Sequence, residues 1–329
     1  MSLSVGIVGL SNVGKSTLFN ALASRRLAET APRPFTTIEP HEAVVPVPDN
    51  NLDRLYEMIV GHSSTPEESS SNTPGESVMP EKIPATVKFI DIAGLVKGAH
   101  KGEGLGNQFL AKIREVDALV HVVRAFYDPQ VVHQYDSFET GSLEQIYEDI
   151  EIVNLELALG GIENIPSLLV LNIGEDEISS PDTKEKIISV TEKFKTDTIA
   201  ISAKIEEELI DFDDKERKEF LKQSGIEDTG LNRLINAAYR MLDLIIFYTI
   251  KGGKEIHAWS IARGASALEA AGVVHTDFER NFIKAEVINV EKLIKAGGWK
   301  KAKDNGLVKL EGKDYAIADG DVIEIVAGK

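Results

Sequence analysis

The most constraining feature of this 329-residue chain is the stretch GLSNVGKST, which runs from Gly9 to Thr17. It has the GxxxxGK[ST] spacing of a phosphate-binding loop, with an apolar run before it and a helical pattern after it. Glycines let the backbone wrap closely around a phosphate, and successive N–H groups at the helix N-terminus meet its negative charge. The sequence therefore predicts a P-loop fold and nucleotide binding by Asn12, Val13, Gly14, Lys15, Ser16 and Thr17.

Further residues extend this loop into a triphosphate site. Lys15 is expected to reach the β- and γ-phosphates as a catalytic group, and Ser16 to bind Mg²⁺. FIDIAG places Asp91 at the end of a strand and Gly94 three residues later, the spacing of an Asp-x-x-Gly that holds Mg²⁺ and senses the γ-phosphate. In RPFTTIEP, Thr37 is the favoured hydroxyl to complete the magnesium ligands. The ordered set of these three signals predicts a nucleoside triphosphatase.

Two loops are placed to meet the base. LLVLNIGEDE (168–177) stands where a guanine-reading Asn-Lys-x-Asp loop is expected, but Ile173 replaces the Lys and Glu175 replaces the Asp. A site that loses a bidentate hydrogen-bonding pair can lose a preference of about 10⁴–10⁵. Asn172 remains to contact the purine edge, so the sequence predicts loss of guanine selection. AISAK follows the next strand, and its residues Ser202, Ala203 and Lys204 are expected to support the base.

Composition restricts the class of protein. Hydrophobic residues make up 43% of the chain, which supports a real core, and no apolar run is long enough for a membrane span. The N-terminus has no basic leader, so no signal peptide is expected, and the absence of cysteine is compatible with the cytoplasm. The net charge of −17 argues against a general nucleic-acid binder.

Strand and helix patterns alternate through most of the chain, which predicts an α/β domain with a mostly parallel sheet over residues 1–245. The second strand, EAVVPV, follows without a helix and is expected to be antiparallel at one edge. Residues 61–84 are rich in Ser, Pro and Glu, and we expect a flexible surface loop there. Residues 246–329 change to short strands around one helix, which predicts a small α+β unit of the β-grasp kind.

The C-terminal unit contains a basic stretch, EKLIKAGGWKKAK. Its lysines and Trp299 suit contact with RNA phosphates and stacking on a base, whereas a solvated helix end with the indole capping the small core is the simpler alternative. In the acidic context of the whole chain, binding to free RNA is not expected. The lysines concerned are Lys292, Lys295, Lys300, Lys301 and Lys303.

With these segments assembled, the chain resembles the YchF/Obg-like ATPase family. The resemblance rests on VGIVGLSNVGKSTLFNAL, PFTTIEP, the segment from DIAGLVKGAHKGEG to VHVVRAF, NIGE and AAGVVHTDFERNFIKAEVI. It implies a G domain, a helical insertion, a C-terminal TGS domain of β-grasp form, hydrolysis of ATP in preference to GTP, and association with ribosomes. Two departures stand out: residues 142–165 are at most a remnant of the family's helical arm, and the loop 61–84 is long.

The sequence offers more than one candidate for the residue that orients the attacking water. Leu95 stands where many relatives of this fold carry a Gln that orients the attacking water. His100, in a glycine-rich stretch expected to rearrange on loss of the γ-phosphate, and His121, on a strand, are the candidates to replace it. The resemblance favours His121, although a histidine on an apolar strand is often a core residue.

The resemblance is also compatible with related functions. Asn12 suits a K⁺ ligand as in related potassium-activated enzymes, or a turn that it stabilises itself. An Obg-type GTPase, and a nucleotide-gated ribosome-binding protein with negligible turnover, are the alternative functions.

Overall fold

The structure, a computed structural model, describes residues 3–29, 41–63, 79–92, 105–133 and 137–328. The expectations for Thr37, Gly94, Leu95 and His100 fall outside these ranges. None of the helices described is long and apolar enough to cross a membrane.

Strands and helices alternate as the sequence pattern indicates. The strands are β1 (Ser4–Val8), β2 (Glu42–Pro46), β3 (Glu81–Ile83), β4 (Thr86–Asp91), β5 (Ala118–Arg124), β6 (Ser167–Asn172), β7 (Thr198–Ile201), β8 (Leu244–Lys251), β9 (Glu255–Ala262), β10 (Phe282–Asn289), β11 (Lys309–Glu311) and β12 (Asp321–Ala327). The helices are α1 (Lys15–Glu29), α2 (Asn50–Ser63), α3 (Leu105–Ile113), α4 (Leu143–Leu159), α5 (Pro181–Phe194), α6 (Ala203–Glu208), α7 (Asp214–Gln223), α8 (Gly230–Met241), α9 (Ala267–Val274), α10 (Thr276–Arg280), α11 (Val290–Ala296) and α12 (Trp299–Asp304).

The chain forms two compact units, and the first comprises residues 1–46 and 86–242. Its sheet has the order β2-β4-β1-β5-β6-β7, with every pair parallel except β2 with β4. The predicted antiparallel edge strand is therefore confirmed. All residues of β1 and β5 are buried, as is typical of parallel strands covered on both faces.

The connection between β5 and β6 contains one helix, α4, in the part that the structure describes. Ser142 caps its N-terminus by accepting a hydrogen bond from the backbone N–H of Gln145. After α4 the chain passes through residues 160–166 directly into β6. This short connection fits the expectation that residues 142–165 hold no more than a remnant of a helical arm.

The second unit comprises residues 47–85 and 243–329. Its sheet has the order β11-β10-β12-β8-β9-β3, in which β8 and β9 form an antiparallel pair and β12 lies parallel to β8. Apart from β3, this is the order of the β-grasp form that the sequence predicts. Apolar side chains of α9 pack with those of the sheet, including Phe247, Ala270 and Ile323.

The segment between β2 and β4 differs from its expectation. Residues 61–63 complete helix α2, and residues 81–83 form β3, which pairs parallel to β9. Only residues 64–78 of the expected loop lie outside the described part of the chain. The expectation of a loop over all of 61–84 is therefore wrong at both ends, because long-range strand pairing and an amphipathic helix override the local composition.

Two contacts explain why this segment belongs to the second unit rather than to the first, where the sequence places it. The hydroxyl of Tyr248 donates to the carboxylate of Asp49 at 2.8 Å, and the guanidinium of Arg54 forms a two-pronged ion pair with Glu291. Burial raises the pKa of Asp49, and the Tyr248 hydroxyl opposes that rise by stabilising the carboxylate. Both contacts bind the N-terminal half of the segment to residues of the C-terminal part of the chain.

Candidate functional site

The phosphate loop connects β1 to α1 at the carboxyl edge of the first sheet. Gly9 has φ +149°, and a Cβ there would lie 2.3 Å from the carbonyl oxygen of Val122. Gly14 has φ +94°, and a Cβ there would lie 2.2 Å from the side-chain nitrogen of Asn172. Neither position has room for a side chain, so the two glycines of the motif are required by close approach as well as by backbone conformation.

Lys15 is buried, and its side chain folds back onto the phosphate loop. Only 7% of the residue is exposed, and its ammonium donates to the carbonyl oxygen of Leu10 at 2.5 Å. Burial lowers its pKa to about 8, and the nearby carboxylate of Asp91 partly offsets this. A phosphate bound in the loop would provide a stronger partner than a neutral carbonyl, because charge-assisted hydrogen bonds are the stronger ones.

Two of the three expected magnesium ligands, Ser16 and Asp91, lie within the described residues. Ser16 is exposed at the start of α1, and Asp91 ends β4 with a half-buried carboxylate. Burial raises the pKa of Asp91, whereas Lys15 and His41 hold it down. Hard oxygen donors with only one carboxylate suit Mg²⁺, which takes its remaining ligands from water and substrate phosphates. The part of the chain that the structure describes holds no cluster of three or more His, Asp or Glu side chains that could bind a metal without a substrate.

Asn172 joins the phosphate loop to the base-side loops. Its side-chain nitrogen donates to the carbonyl oxygen of Val13 at 2.9 Å, and its side-chain oxygen accepts from the N–H of Ala203 at 3.0 Å. The residue is 6% exposed. One of its four hydrogen-bonding positions, the second N–H, is the remaining donor for a purine edge. Asn172 is therefore first a structural tie, with one N–H and one oxygen lone pair left for contacts with a base.

The side chain of Ile173 lies in the hydrophobic core rather than in the nucleotide site that the sequence suggests. Its side chain is 3% exposed and packs in the core cluster with Leu171, Ile146 and Val190. The alternation of β6 continues past the strand end, so Ile173 shares a face with Leu169 and Leu171, opposite to Asn172. This corrects the assignment of the Ile173 side chain to the nucleotide site.

Glu175 and Lys204 form an ion pair across the two base-side loops. Both side chains are exposed, and the hydrogen bond that Lys204 donates to Glu175 raises the pKa of Lys204. Ser202, between Lys204 and β7, is buried, and its hydroxyl has no hydrogen-bond partner among the described residues. The carboxylate that stands in place of a guanine-reading Asp thus has a cationic partner within the protein.

His121 lies in the middle of β5, beside Val8 of β1, and is 4% exposed. Burial, together with the charge of Lys15, lowers its pKa to about 3. The imidazole is therefore neutral near pH 7 in this arrangement. No hydrogen-bond partner for it is found among the described residues, and it lines a pocket that opens to the surface.

Asn12 adopts a left-handed conformation with φ +61°, and its side-chain nitrogen donates to the carbonyl oxygen of Val132 at 3.1 Å. Its side-chain oxygen is the atom that would serve a K⁺ ion. The segment carrying Val132 is held by Arg124, which sequence reasoning missed. The residue is 1% exposed, and its guanidinium donates to the carbonyl oxygens of Phe126, Asp128 and Val131.

The basic stretch of the second unit forms α11 and α12, joined by two glycines with positive φ. All five lysines are exposed, but Lys303 is held by the carboxylate of Glu286 at 2.7 Å. Trp299 is half-buried, and its indole nitrogen is buried without a partner among the described residues. The indole is thus a part of the small domain's packing, as the simpler alternative holds, and the remaining four lysines define its basic surface.

Two family profiles match the chain. One, described as 50S ribosome-binding GTPase, matches residues 4–173, and the C-terminal YchF-GTPase profile, described as a protein of unknown function, matches residues 244–327.

Whole-length relatives also match. "Ribosome-binding ATPase YchF" of Bacillus subtilis is 37% identical, with 98% of each chain covered, and its namesake from Haemophilus influenzae is 38% identical at the same coverage. The Bacillus alignment runs over 387 positions, more than the 329 residues present here, so that relative has segments that this chain lacks. The solved structure of the Schizosaccharomyces pombe YchF GTPase superimposes with a TM-score of 0.76 at 28% identity, covering 99% of this chain and 98% of that one. The chain is a member of the YchF family and has a P-loop G domain and a YchF-type C-terminal domain.

Proposed function

We propose that this chain is a Mg²⁺-dependent nucleoside triphosphatase that prefers ATP to GTP and acts as a nucleotide switch on the ribosome. The observation that carries the proposal is the joined set of loops: Asn172 ties the phosphate loop to the base-side loops, where Glu175 is paired with Lys204. The names of the whole-length relatives support the same activity and the same partner.

Binding of the phosphates replaces hydrogen bonds that the loop makes with itself by hydrogen bonds to the phosphate oxygens. Lys15 leaves the carbonyl of Leu10 for the β- and γ-phosphates, and backbone N–H groups of Asn12 to Thr17 cradle the phosphate oxygens. Ser16 and Asp91 would hold Mg²⁺, with Thr37 as the expected third protein ligand and Gly94 as the expected γ-phosphate sensor. Bound there, the ion would supply neutralisation of the phosphate charge. A K⁺ ion at the oxygen of Asn12 would add to that neutralisation.

The preference for ATP follows from the base-side loops. Guanine offers N1–H and N2–H₂ donors to a carboxylate, whereas adenine offers an acceptor at N1 and would be repelled by one. The pairing with Lys204 draws the Glu175 carboxylate toward the protein and removes that repulsion. The remaining N–H of Asn172 contacts the purine edge, and Ser202 and Ala203 support the ring. GTP binds more weakly because its donors find no acceptor.

Hydrolysis cleaves the bond between the γ-phosphorus and the β–γ bridging oxygen. A water attacks the γ-phosphorus, ADP leaves with the bridging oxygen, and the proton of water passes to the phosphate product. In its buried state His121 is neutral and too weak a base to take that proton. Its role is to orient the water after the residues around it rearrange. With Leu95 in place of a polar group, turnover without the ribosome is slow.

Ribosome association is assigned to the basic surface of the second unit. Lys292, Lys295, Lys300 and Lys301 are exposed and lie on two consecutive helices, which suits contact with RNA phosphates. Lys303 contributes less because Glu286 neutralises it. The cytoplasm is the compartment in which such a partner is met.

The test is turnover of ATP with and without purified ribosomes, with co-sedimentation measured in ATP-analogue and ADP states. The proposal expects a several-fold faster turnover with ribosomes and nucleotide-dependent sedimentation, both reduced when Lys300 and Lys301 are changed to Glu. Equal turnover and equal sedimentation in all states would reject the switch. Lys313→Glu, an exposed lysine of the same unit away from α11 and α12, is the matched control.

A second function is favoured by one observation. His121, whose pKa is lowered by burial and by the charge of Lys15, is buried and neutral, which is compatible with a nucleotide-gated ribosome-binding protein whose turnover is negligible. It predicts tight nucleotide binding and nucleotide-dependent sedimentation without hydrolysis. An Obg-type GTPase, the remaining alternative, predicts tighter binding of GTP than of ATP.

A further inference from the structure

The α4 side of the first sheet contains a pit of about 210 Å³ that leads from the protein surface to His121. Its floor is formed by buried side chains of three adjacent strands, among them Val8 of β1, His121 of β5 and Leu169 of β6. These three occupy neighbouring register positions, so the floor is one row across the sheet. His121 is the polar group of that floor.

The walls and the rim differ in character. Half-buried apolar side chains, including Leu157 of α4 and Phe194 of α5, form the walls. The rim carries Asn154, Asn164 and Ser167, which are exposed and neutral. The short connection between α4 and β6 supplies Asn164, whose φ of +60° places it in the left-handed region that Asn tolerates. The pit is therefore a cleft with an apolar body and hydrogen-bonding groups at both ends.

The imidazole at the bottom points to a ligand rather than to packing alone. The residue is 4% exposed, it lines the pit, and none of the described residues forms a hydrogen bond with its ring nitrogens. Its nitrogens are not among the fully buried atoms that lack a partner, so they meet the open space of the pit, where an occupant can form a hydrogen bond with them. A water cluster could meet the nitrogens but not the apolar walls.

The lining also selects the charge and size of an occupant. No Asp, Glu, Lys or Arg is among the residues that line the pit. A charged occupant would lose its hydration without compensation, so the pit selects neutral molecules. A volume of about 210 Å³ is below the range of about 300–1,000 Å³ for drug-sized pockets, so the occupant is fragment-sized.

We propose that this pit is a binding site for a neutral one- or two-ring heteroaromatic molecule, whose ring nitrogen or N–H hydrogen-bonds to His121. Its apolar face packs between Leu157 and Phe194, and its polar edge meets Asn154 and Asn164 at the rim. The site is separate from the phosphate loop, because the occupant approaches His121 from the α4 side of the sheet.

Binding to this site would hold His121 in its buried position. That consequence for turnover rests on the proposed role of His121 in hydrolysis, whereas binding itself does not. The two are therefore tested by separate measurements on the same full-length protein, first without nucleotide and then with ATP and Mg²⁺.

Benzimidazole, neutral at pH 7.5, is the probe. Ligand-observed NMR should show saturable binding with a dissociation constant of about 1 mM or tighter, as expected for a ligand of this size. The side-chain ¹⁵N resonances of His121 should shift on addition. Leu157→Trp fills the pit and should weaken binding at least tenfold, whereas Leu155→Trp, on the same helix but 55% exposed and outside the lining, should leave it unchanged.

A second variant protects the test against misfolding of the first. Asn164→Gly keeps the left-handed backbone and removes one rim amide, so it should weaken benzimidazole binding several-fold in a folded protein. Non-saturable binding in the wild type, or equal binding in the wild type, Leu157→Trp and Asn164→Gly, would overturn the site. Binding as described with unchanged ATP turnover supports the site and contradicts the role of His121 in hydrolysis.

Discussion

The side-chain nitrogen of Asn172 lies 2.9 Å from the carbonyl oxygen of Val13, so one buried hydrogen bond joins the end of β6 to the phosphate loop. The same amide accepts from the backbone of the next loop at 3.0 Å, at Ala203. The groups that meet the base and the groups that meet the phosphates are thus held by one side chain. A change at Asn172 should alter stability and affinity together.

Asn172→Ala should destabilise the protein by about 1–3 kcal/mol, because it leaves a buried carbonyl and a buried N–H without partners. It should also weaken ATP binding at least tenfold. Urea unfolding and equilibrium titration with an ATP analogue measure the two effects. Gln130→Ala, an exposed position in the same unit, is the control. A variant with weaker ATP binding and unchanged stability would contradict the tie between the loops.

Glu175→Asp combined with Lys204→Gln should shift preference toward GTP. The shorter carboxylate, released from its cationic partner, becomes available to accept hydrogen bonds from guanine. We expect the ratio of GTP to ATP dissociation constants to fall by about tenfold, well short of the 10⁴–10⁵ that a complete guanine site achieves. Lys215→Gln, which neutralises an exposed lysine away from the base-side loops, is the control. An unchanged ratio in the double variant would reject the pair as a determinant of base preference.

ATP binding should take up a proton between about pH 8 and 9. In the free protein burial lowers the pKa of Lys15 to about 8, so the ammonium loses its proton as pH rises through that value. Bound phosphates favour the charged form and raise the pKa again, so the complex holds a proton that the free protein has lost. Calorimetry of ATP-analogue binding in two buffers of different ionisation enthalpy measures the uptake. Lys15→Arg, which stays charged, should show none. No uptake in the wild type would contradict the buried lysine.

The stability of the protein should depend on His121 at acid pH. The native pKa of about 3 lies below the usual value near 6.5 in the unfolded chain. As pH falls from 6.5 toward 3, the unfolded state binds a proton that the native state does not, so stability is lost by up to about 1.4 kcal/mol per pH unit. His121→Gln should reduce that slope, measured by urea unfolding at several pH values. Equal slopes in the two proteins would show that His121 is not buried as described.

Tyr248→Phe should destabilise the second unit by about 1–3 kcal/mol, because the half-buried carboxylate of Asp49 then loses the donor at 2.8 Å. Denaturant unfolding followed by the fluorescence of Trp259, a residue of the same sheet, reports on this unit. Tyr127→Phe, at a tyrosine that is 71% exposed, is the matched control. An equally small effect of both changes would argue against the anchoring of α2 by this bond.

Much of the first unit could be predicted from the sequence because its signals are local. The phosphate loop combines a fixed spacing with a buried strand before it and a helix after it. The antiparallel edge strand β2 is correctly expected, although helix α2 follows it, where the sequence pattern shows no helix. Ile173 was misplaced because comparison with a base-reading motif outweighed the strand alternation, which continues one residue past β6 and turns that side chain into the core. The alternation of side chains along β6, extended by one residue, predicts that the Ile173 side chain lies in the core.

The interactions that the sequence did not reveal are long-range. Asp49 meets Tyr248, and Glu81 lies opposite Glu255, across about 200 and 170 positions of the chain. No local pattern encodes such partners. The Ser- and Pro-rich composition of residues 61–84 also conceals the end of helix α2 and the strand β3, which lie at the two ends of that stretch. The three carbonyl contacts of Arg124 likewise depend on the path of a loop rather than on a motif.

The measurement that tests the central claim most directly is the ratio of the dissociation constants of non-hydrolysable ATP and GTP analogues for the nucleotide-free protein in Mg²⁺. The loops described here predict tighter binding of the ATP analogue, by about tenfold or more, and loss of both affinities in Lys15→Ala. Tighter binding of the GTP analogue would contradict the account and identify a guanine-nucleotide enzyme instead.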